Sequence, residues 1–136
     1  MQQSTLPQPV VDSRQRDPRT AHIVTSAIEV HREIGPGLLE SAYEECLCHE
    51  LGSRGVRFKR QVDLPLIYKG LRLRCGYQMD LVVEDEVVVE LKAIEKILPV
   101  HEAQLLTYMK PARKSVGLLI NFNTAVLRNG IVRRVL

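Results

Sequence analysis

"QMDLVVEDEVVVELK", residues 78–92, is the stretch on which the fold turns. Two aliphatic runs, Leu81–Val83 and Val87–Val89, flank the acidic tripeptide Glu84-Asp85-Glu86. Runs of this kind bounded by turn residues read as two strands joined by a tight hairpin. Strand side chains alternate between faces, so Glu90 and Lys92 point to the same side. With a loop of residues 84–86, Val83 opposes Val87 and Asp80 opposes Glu90. Directly opposed residues have Cβ atoms about 4.5–5.5 Å apart, and like charges in that position destabilise a sheet. A divalent cation gripped by both carboxylates would reverse the penalty. The plainer reading is a Glu90–Lys92 ion pair at a sheet edge, which contributes little.

Working outward from the hairpin, the pattern changes period. Upstream, Ile23, Ala27, Val30 and Ile34 fall at helical spacing, with Asp17-Pro18 as the expected helix start and Gly35 as its end. A second helix is expected from Leu38 to Leu51, with Leu39, Ala42, Tyr43, Cys46 and Leu47 on its apolar stripe. "VRFKRQVDLPLIY" and "LRLRCGYQMDLVV" read as strands, with Lys69-Gly70 as a turn. Downstream, Pro99 starts a third helix that Pro111 should stop near Lys110. "SVGLLINF" is a buried strand, and "AVLRNGIVRRVL" reads as a last strand or a hairpin turning at Asn129-Gly130. The expected order is α-α-β-β-β-β-α-β-β, an α/β domain whose mixed sheet is flanked by helices. Residues 1–17 read as a polar, loosely attached or disordered tail, and residues 18–136 as one domain.

Composition narrows the function. The 136 residues are 45% hydrophobic and 26% charged, ordinary for a soluble domain. No apolar run approaches the roughly 18 residues of a membrane span, and the N-terminal stretch lacks a signal-peptide core, so a cytoplasmic protein is expected. Cys46, Cys48 and Cys75 show no metal-ligand spacing and read as reduced thiols. There is no Gly-x-x-x-x-Gly-Lys-Ser/Thr pattern, which excludes a P-loop ATPase, and no nucleophile–histidine set stands out. The net charge of +3 is unevenly spread. Arg54, Arg57, Lys59, Arg60, Lys69, Arg72 and Arg74 face a single acid, Asp63, over one stretch, while six glutamates between Glu29 and Glu50 meet only Arg32. Arg54, Arg57, Lys59, Arg60, Arg72 and Arg74 are therefore candidates for tracking a nucleic-acid backbone. The low aromatic content of 4% argues against a stacking platform for single strands dominating that binding.

Hard oxygen ligands such as Asp80 and Glu90 suit Mg²⁺, with Mn²⁺ as the alternative. Lys92 beside them could orient a water or stabilise a phosphate oxygen. Gln104 and Tyr108 lie four residues apart on one face of the third helix and could hold a water or a phosphate. Glu40 stands in the first turn of the second helix, where the helix dipole favours a carboxylate without any further role.

"GLLESAYEE" carries Gly37-x-x-Glu40-x-x-Tyr43, and the chain resembles the GxxExxY family from about Ile23 to Gly130 in motif order. That family resembles a branch of the PD-(D/E)xK nucleases, which implies a restriction-endonuclease-like fold. The resemblance implies that Asp80, Glu90 and Lys92 form the acidic and (D/E)-x-K motifs, with Met79 standing where the motif has proline. It also implies that Leu91 lends its backbone carbonyl to the metal, that Glu40 supplements the metal site, and that Gln104 and Tyr108 form a Gln-x-x-x-Tyr motif. The implied activity is metal-dependent phosphodiester hydrolysis of nucleic acid, with DNA favoured over RNA. The alternative is a catalytically silent nuclease-fold module that binds nucleic acid or a partner. A chain this short lacks a separate specificity domain, so sequence-specific cutting would call for a homodimer or a partner protein.

Overall fold

The computed structural model describes residues 17–74 and 76–136. The expected tail, apart from Asp17, and Cys75 lie outside the described residues. Three helices, α1 (Ala21–Ile34), α2 (Glu40–Ser53) and α3 (Pro99–Ala112), flank strands β1 (Phe58–Asp63), β4 (Gln78–Val83), β5 (Val87–Lys92), β6 (Val116–Asn121) and β7 (Ile131–Val135). The five strands form one mixed sheet in the order β1-β4-β5-β6-β7. Only β5 and β6 run parallel, joined by the α3 crossover, and the other pairs are antiparallel. This is the restriction-endonuclease-like α/β arrangement that the sequence implied.

The two central strands read as continuous apolar runs because both their faces are covered. On one face Ile23, Ala27, Tyr43, Leu47 and Leu51 of α1 and α2 pack on Val87, Val89, Leu91, Leu118 and Ile120. On the other, Leu105, Tyr108 and Met109 of α3 pack on Val82, Val88 and Leu119. Each fully buried Val or Leu of this kind contributes about 1.5–3 kcal/mol. The close approach of α3 to β6 depends on Gly117, where a Cβ would stand 2.6 Å from Met109 Sδ and 2.9 Å from Leu105 Cδ1.

Several local expectations shift. Asp17 does not cap α1: its carbonyl accepts Thr20 and Ala21 N–H in a preceding turn, and its carboxylate pairs with Arg19 and Arg133, so the helix starts at Ala21. Pro111 does not stop α3. The bond its missing N–H forfeits falls in the last turn, and the stop comes at Arg113, whose φ of 57° is left-handed. At the other end of α3, His101 Nδ1 accepts the Leu98 N–H at 2.8 Å. Leu66 to Leu73 holds a small separate hairpin, β2 (Ile67–Tyr68) and β3 (Leu71–Arg72), turning at Lys69-Gly70. Asn129-Gly130 turns no hairpin, because Leu127–Gly130 is a short 3-10 turn that leads into β7. Among the described residues no helix is long and apolar enough to cross a membrane.

Candidate active site

The hairpin between β4 and β5 has the register that three loop residues require. Val83 pairs with Val87, Val82 with Val88 and Leu81 with Val89. Glu86 N–H donates to Val83 C=O at 3.0 Å, closing a turn in which Glu84 and Asp85 take left-handed φ values of 52° and 53°. That is the primed turn favoured by twisted hairpins, with Glu86 as the added residue. Carried one residue past Leu81, the same register sets Asp80 opposite Glu90.

The regular ladder ends at Leu81 and Val89, and the strands part. There the Asp80 side chain replaces a backbone partner, its Oδ2 accepting the Leu91 N–H at 2.8 Å. The N–H and C=O of one strand residue leave the same edge, so the Leu91 carbonyl is directed towards Asp80 as well. Glu90 is only 5% exposed, and its Oε1 is buried without a hydrogen-bond partner among the described residues. Burial pushes the Glu90 carboxyl up to about 9, and the charge of Asp80 and a hydrogen bond between the two carboxyls add to it, against a lowering pull from Lys92. Two adjacent carboxyls resist ionising together: they share a proton, or a cation between them lets both stay charged. The donor set of two carboxylates and a nearby carbonyl, with one buried oxygen of Glu90 left without a hydrogen-bond partner among the described residues, fits a hard divalent cation.

Lys92 is half-buried on the same side as Glu90 and makes no ion pair among the described residues. Its backbone carbonyl accepts Phe122 N–H at 2.9 Å, which locks the end of β5 to β6. Glu40 is the first residue of α2 and is exposed overall. Its carboxyl is nonetheless raised, first by partial desolvation and then by the charge of Asp80, while Lys92 lowers it. Among the described residues no three His, Cys, Asp or Glu side chains cluster as metal ligands. Glu40 thus stands outside the Asp80–Glu90 pair. From the far side, Gln104 Nε2 donates to Tyr108 Oη at 2.9 Å. Burial raises the Tyr108 phenol against the lowering hydrogen bond from Gln104, and the charges of Glu90 and Asp80 and the neighbouring Tyr77 add to the rise.

The basic candidates are dispersed. Arg54 pairs with Glu50 at 2.9 Å, Arg57 with Glu84 at 3.3 Å and Arg60 with Glu44 at 2.8 Å. Arg57 and Lys59 lie towards the hairpin turn, with Arg57 bonded to Glu84 four residues from Asp80, about 13 Å along the strand. Only Lys59, Arg72 and Arg74 of the six lack an ion pair among the described residues. At the C-terminus, Arg133 and Arg134 are held by Asp17 and Glu102.

Two supporting residues escaped the sequence reading as parts of the site. Tyr43, fully buried and stacked on Phe122 at 4.5 Å, donates its hydroxyl to Gly35 C=O at 2.6 Å and accepts Leu38 N–H at 3.1 Å. It thereby holds the turn that launches the Glu40 helix. Asn121, opposite Lys92 in the parallel register, accepts Ile94 N–H at 3.0 Å and donates to Ile94 C=O at 2.9 Å, pinning the chain that leaves the site. The signal for Asn121 was a lone amide in an apolar strand, "GLLINF". His31 Nε2 meets Thr124 C=O at 2.7 Å, a tie between α1 and the loop after β6.

No curated protein and no solved structure matches the chain. The profile of one family matches residues 17–135, from the turn before α1 to the end of β7, and so spans every element that builds the cleft. With Asp80, Glu90 and Lys92 at the parted end of its central hairpin, this chain belongs to the PD-(D/E)XK nuclease superfamily.

Proposed function

We propose that the protein is a metal-dependent phosphodiesterase of the GxxExxY branch that hydrolyses nucleic acid, with DNA preferred to RNA. The observation that carries this reading is the buried Oε1 of Glu90, without a hydrogen-bond partner among the described residues, on the residue that the hairpin register sets opposite Asp80. A structural α/β domain gains nothing from burying Glu90 beside Asp80, because the repulsion and the burial weaken the fold.

Asp80, Glu90 and the Leu91 carbonyl would hold Mg²⁺ or Mn²⁺, which when bound supplies a Lewis acid at the scissile phosphate and neutralises the carboxylates. The Lys92 ammonium, without an ion pair among the described residues, donates hydrogen bonds to a phosphoryl oxygen and to the attacking water. Gln104 and Tyr108, already bonded to each other, present an amide oxygen and a phenol that orient water or phosphate above Glu90. Glu40 acts from the rim, where its charge raises the carboxyls' demand for a cation. The basic residues hold the backbone of the substrate. Free Cys46 and Cys48 support a reducing, cytoplasmic setting, and burial pushes the Cys48 thiol up to about 11, which leaves it unreactive.

The test is incubation of the pure protein with end-labelled single-stranded DNA, duplex DNA and RNA, each with Mg²⁺, Mn²⁺ or EDTA. Cleavage of DNA that needs the metal and is lost in Lys92→Ala is the expected result. Cleavage that persists in EDTA, or no cleavage of any substrate, overturns the reading.

A further inference from the structure

Next to the cleft, where the chain passes from β1 to β4, lies a cavity of about 250 Å³ bordered by Asp63, Leu64, Arg72, Arg74 and Tyr77. It is smaller than the roughly 300–1,000 Å³ of small-molecule sites, so it suits one planar fragment rather than a whole metabolite. Its chemistry is mixed in a particular way. Arg72 and Arg74 have no ion pair among the described residues, whereas Arg54, Arg57 and Arg60 are each occupied by a glutamate. Asp63 Oδ1 accepts Gln78 Nε2 at 3.0 Å, and its Oδ2 has no hydrogen bond among the described residues. Leu64 supplies an apolar floor, being 7% exposed.

Tyr77 links this cavity to the catalytic carboxylates. Its ring meets Tyr108 edge-on, with centroids 6.1 Å apart and planes at 63°. The two rings meet at an angle rather than stacked, and Tyr77 as a residue remains 47% exposed. Its backbone is fixed, since Tyr77 C=O accepts Leu64 N–H at 2.9 Å. Gly76 before it takes a φ of 71°, and a Cβ there would meet nothing within 4 Å, so the glycine serves the turn that presents Tyr77 rather than a close contact. Tyr77 is three residues from Asp80, roughly 10 Å along an extended strand. A nucleotide adjoining the scissile phosphate would span that interval.

We propose that this cavity is a subsite for one unpaired nucleotide of the strand being cut. Its base lies against the Tyr77 ring, its N–H edge donates to Asp63, and its phosphate is held by Arg72 and Arg74. The inference rests on the nuclease reading for which strand occupies it. A base within a duplex cannot reach the cavity without unstacking, so the subsite selects single strands, frayed ends or flaps over blunt duplex. The small number of aromatics is no obstacle, because one placed ring serves one base.

The experiment measures binding without turnover: fluorescence anisotropy of a labelled 12-nucleotide single-stranded DNA and its blunt duplex, both in EDTA, for the full chain. Wild type should bind the single strand more tightly. Tyr77→Ala should weaken that binding about 5- to 150-fold, the range for one stacked base, while Tyr77→Phe stays within about twofold of wild type by keeping the ring. Arg72→Ala with Arg74→Ala should flatten the log–log salt dependence by about 0.7, one phosphate on a single strand. Equal loss of duplex and single-strand binding in Tyr77→Ala, or no loss at all, overturns the subsite even if the protein cleaves DNA with Mg²⁺. Tyr77-dependent single-strand binding in a protein that cleaves nothing supports the subsite and sinks the nuclease reading instead.

Discussion

The Asp80 carboxylate accepts the Leu91 backbone N–H at 2.8 Å, at the point where the β4–β5 ladder gives out. One side chain therefore closes the end of the central hairpin and stands beside the buried acid next to Leu91. Structural and chemical duties at Asp80 can be separated. Asp80→Asn keeps an oxygen acceptor and should melt within a few degrees of wild type. Asp80→Ala leaves a half-buried N–H unpaired and should lose about 1–3 kcal/mol. Both should lose Mg²⁺ binding by isothermal titration; retained binding in Asp80→Asn would exclude this carboxylate as a ligand.

Glu90 should make the metal-free fold less stable as pH rises. Its folded carboxyl titrates at about 9 against 4.5 for the ordinary group, so between those values the folded state holds a proton that the unfolded state has lost. Stability is full below pH ~4.5 and falls from there through pH ~9. Glu90→Gln removes the penalty and should raise stability near pH 7 by about 1–3 kcal/mol in EDTA. Urea denaturation at pH 5, 7 and 9 reads it; a gain no larger at pH 7 than at pH 5 would contradict the burial and repulsion assigned to this group.

Lys92→Ala should lower metal-dependent cleavage by at least about 100-fold, the effect of deleting one donor to a developing charge. Binding of nucleic acid should stay within about threefold, because most of that affinity comes from other basic residues. Single-turnover assays separate the two quantities. A parallel loss of binding and cleavage would make Lys92 a backbone contact only.

Tyr43→Phe should act at a distance. The ring still stacks on Phe122, but Gly35 C=O and Leu38 N–H lose their shared hydroxyl. A loss of about 1–2 kcal/mol is expected, with a drop in cleavage from misplacing Glu40. If cleavage falls in Glu40→Gln but is unchanged in Tyr43→Phe, the turn does not need this anchor to position the glutamate.

What could be read from the chain alone was local in origin. The register of β4 and β5 follows from two Val-rich runs and the short loop between them, since period-two alternation propagates from the turn without help from the rest of the molecule. Asp80 opposite Glu90 and Lys92 beside it were legible for that reason, and so were the first two helices from their apolar spacing and the third from its prolines. Tertiary structure decided what depends on distant partners. The arginines of the basic stretch look alike in sequence, but only the docking of α2 on the sheet brings Glu44 to Arg60, and only the β1–β4 pairing brings Glu84 to Arg57. Asn121 acquires its task from the parallel β5–β6 pairing, which a crossover sets and no local pattern encodes. Pro111 shows the same limit from the other side: the helix runs through it because a missing hydrogen bond near the end costs less than the packing of Leu105 and Met109 against the sheet contributes.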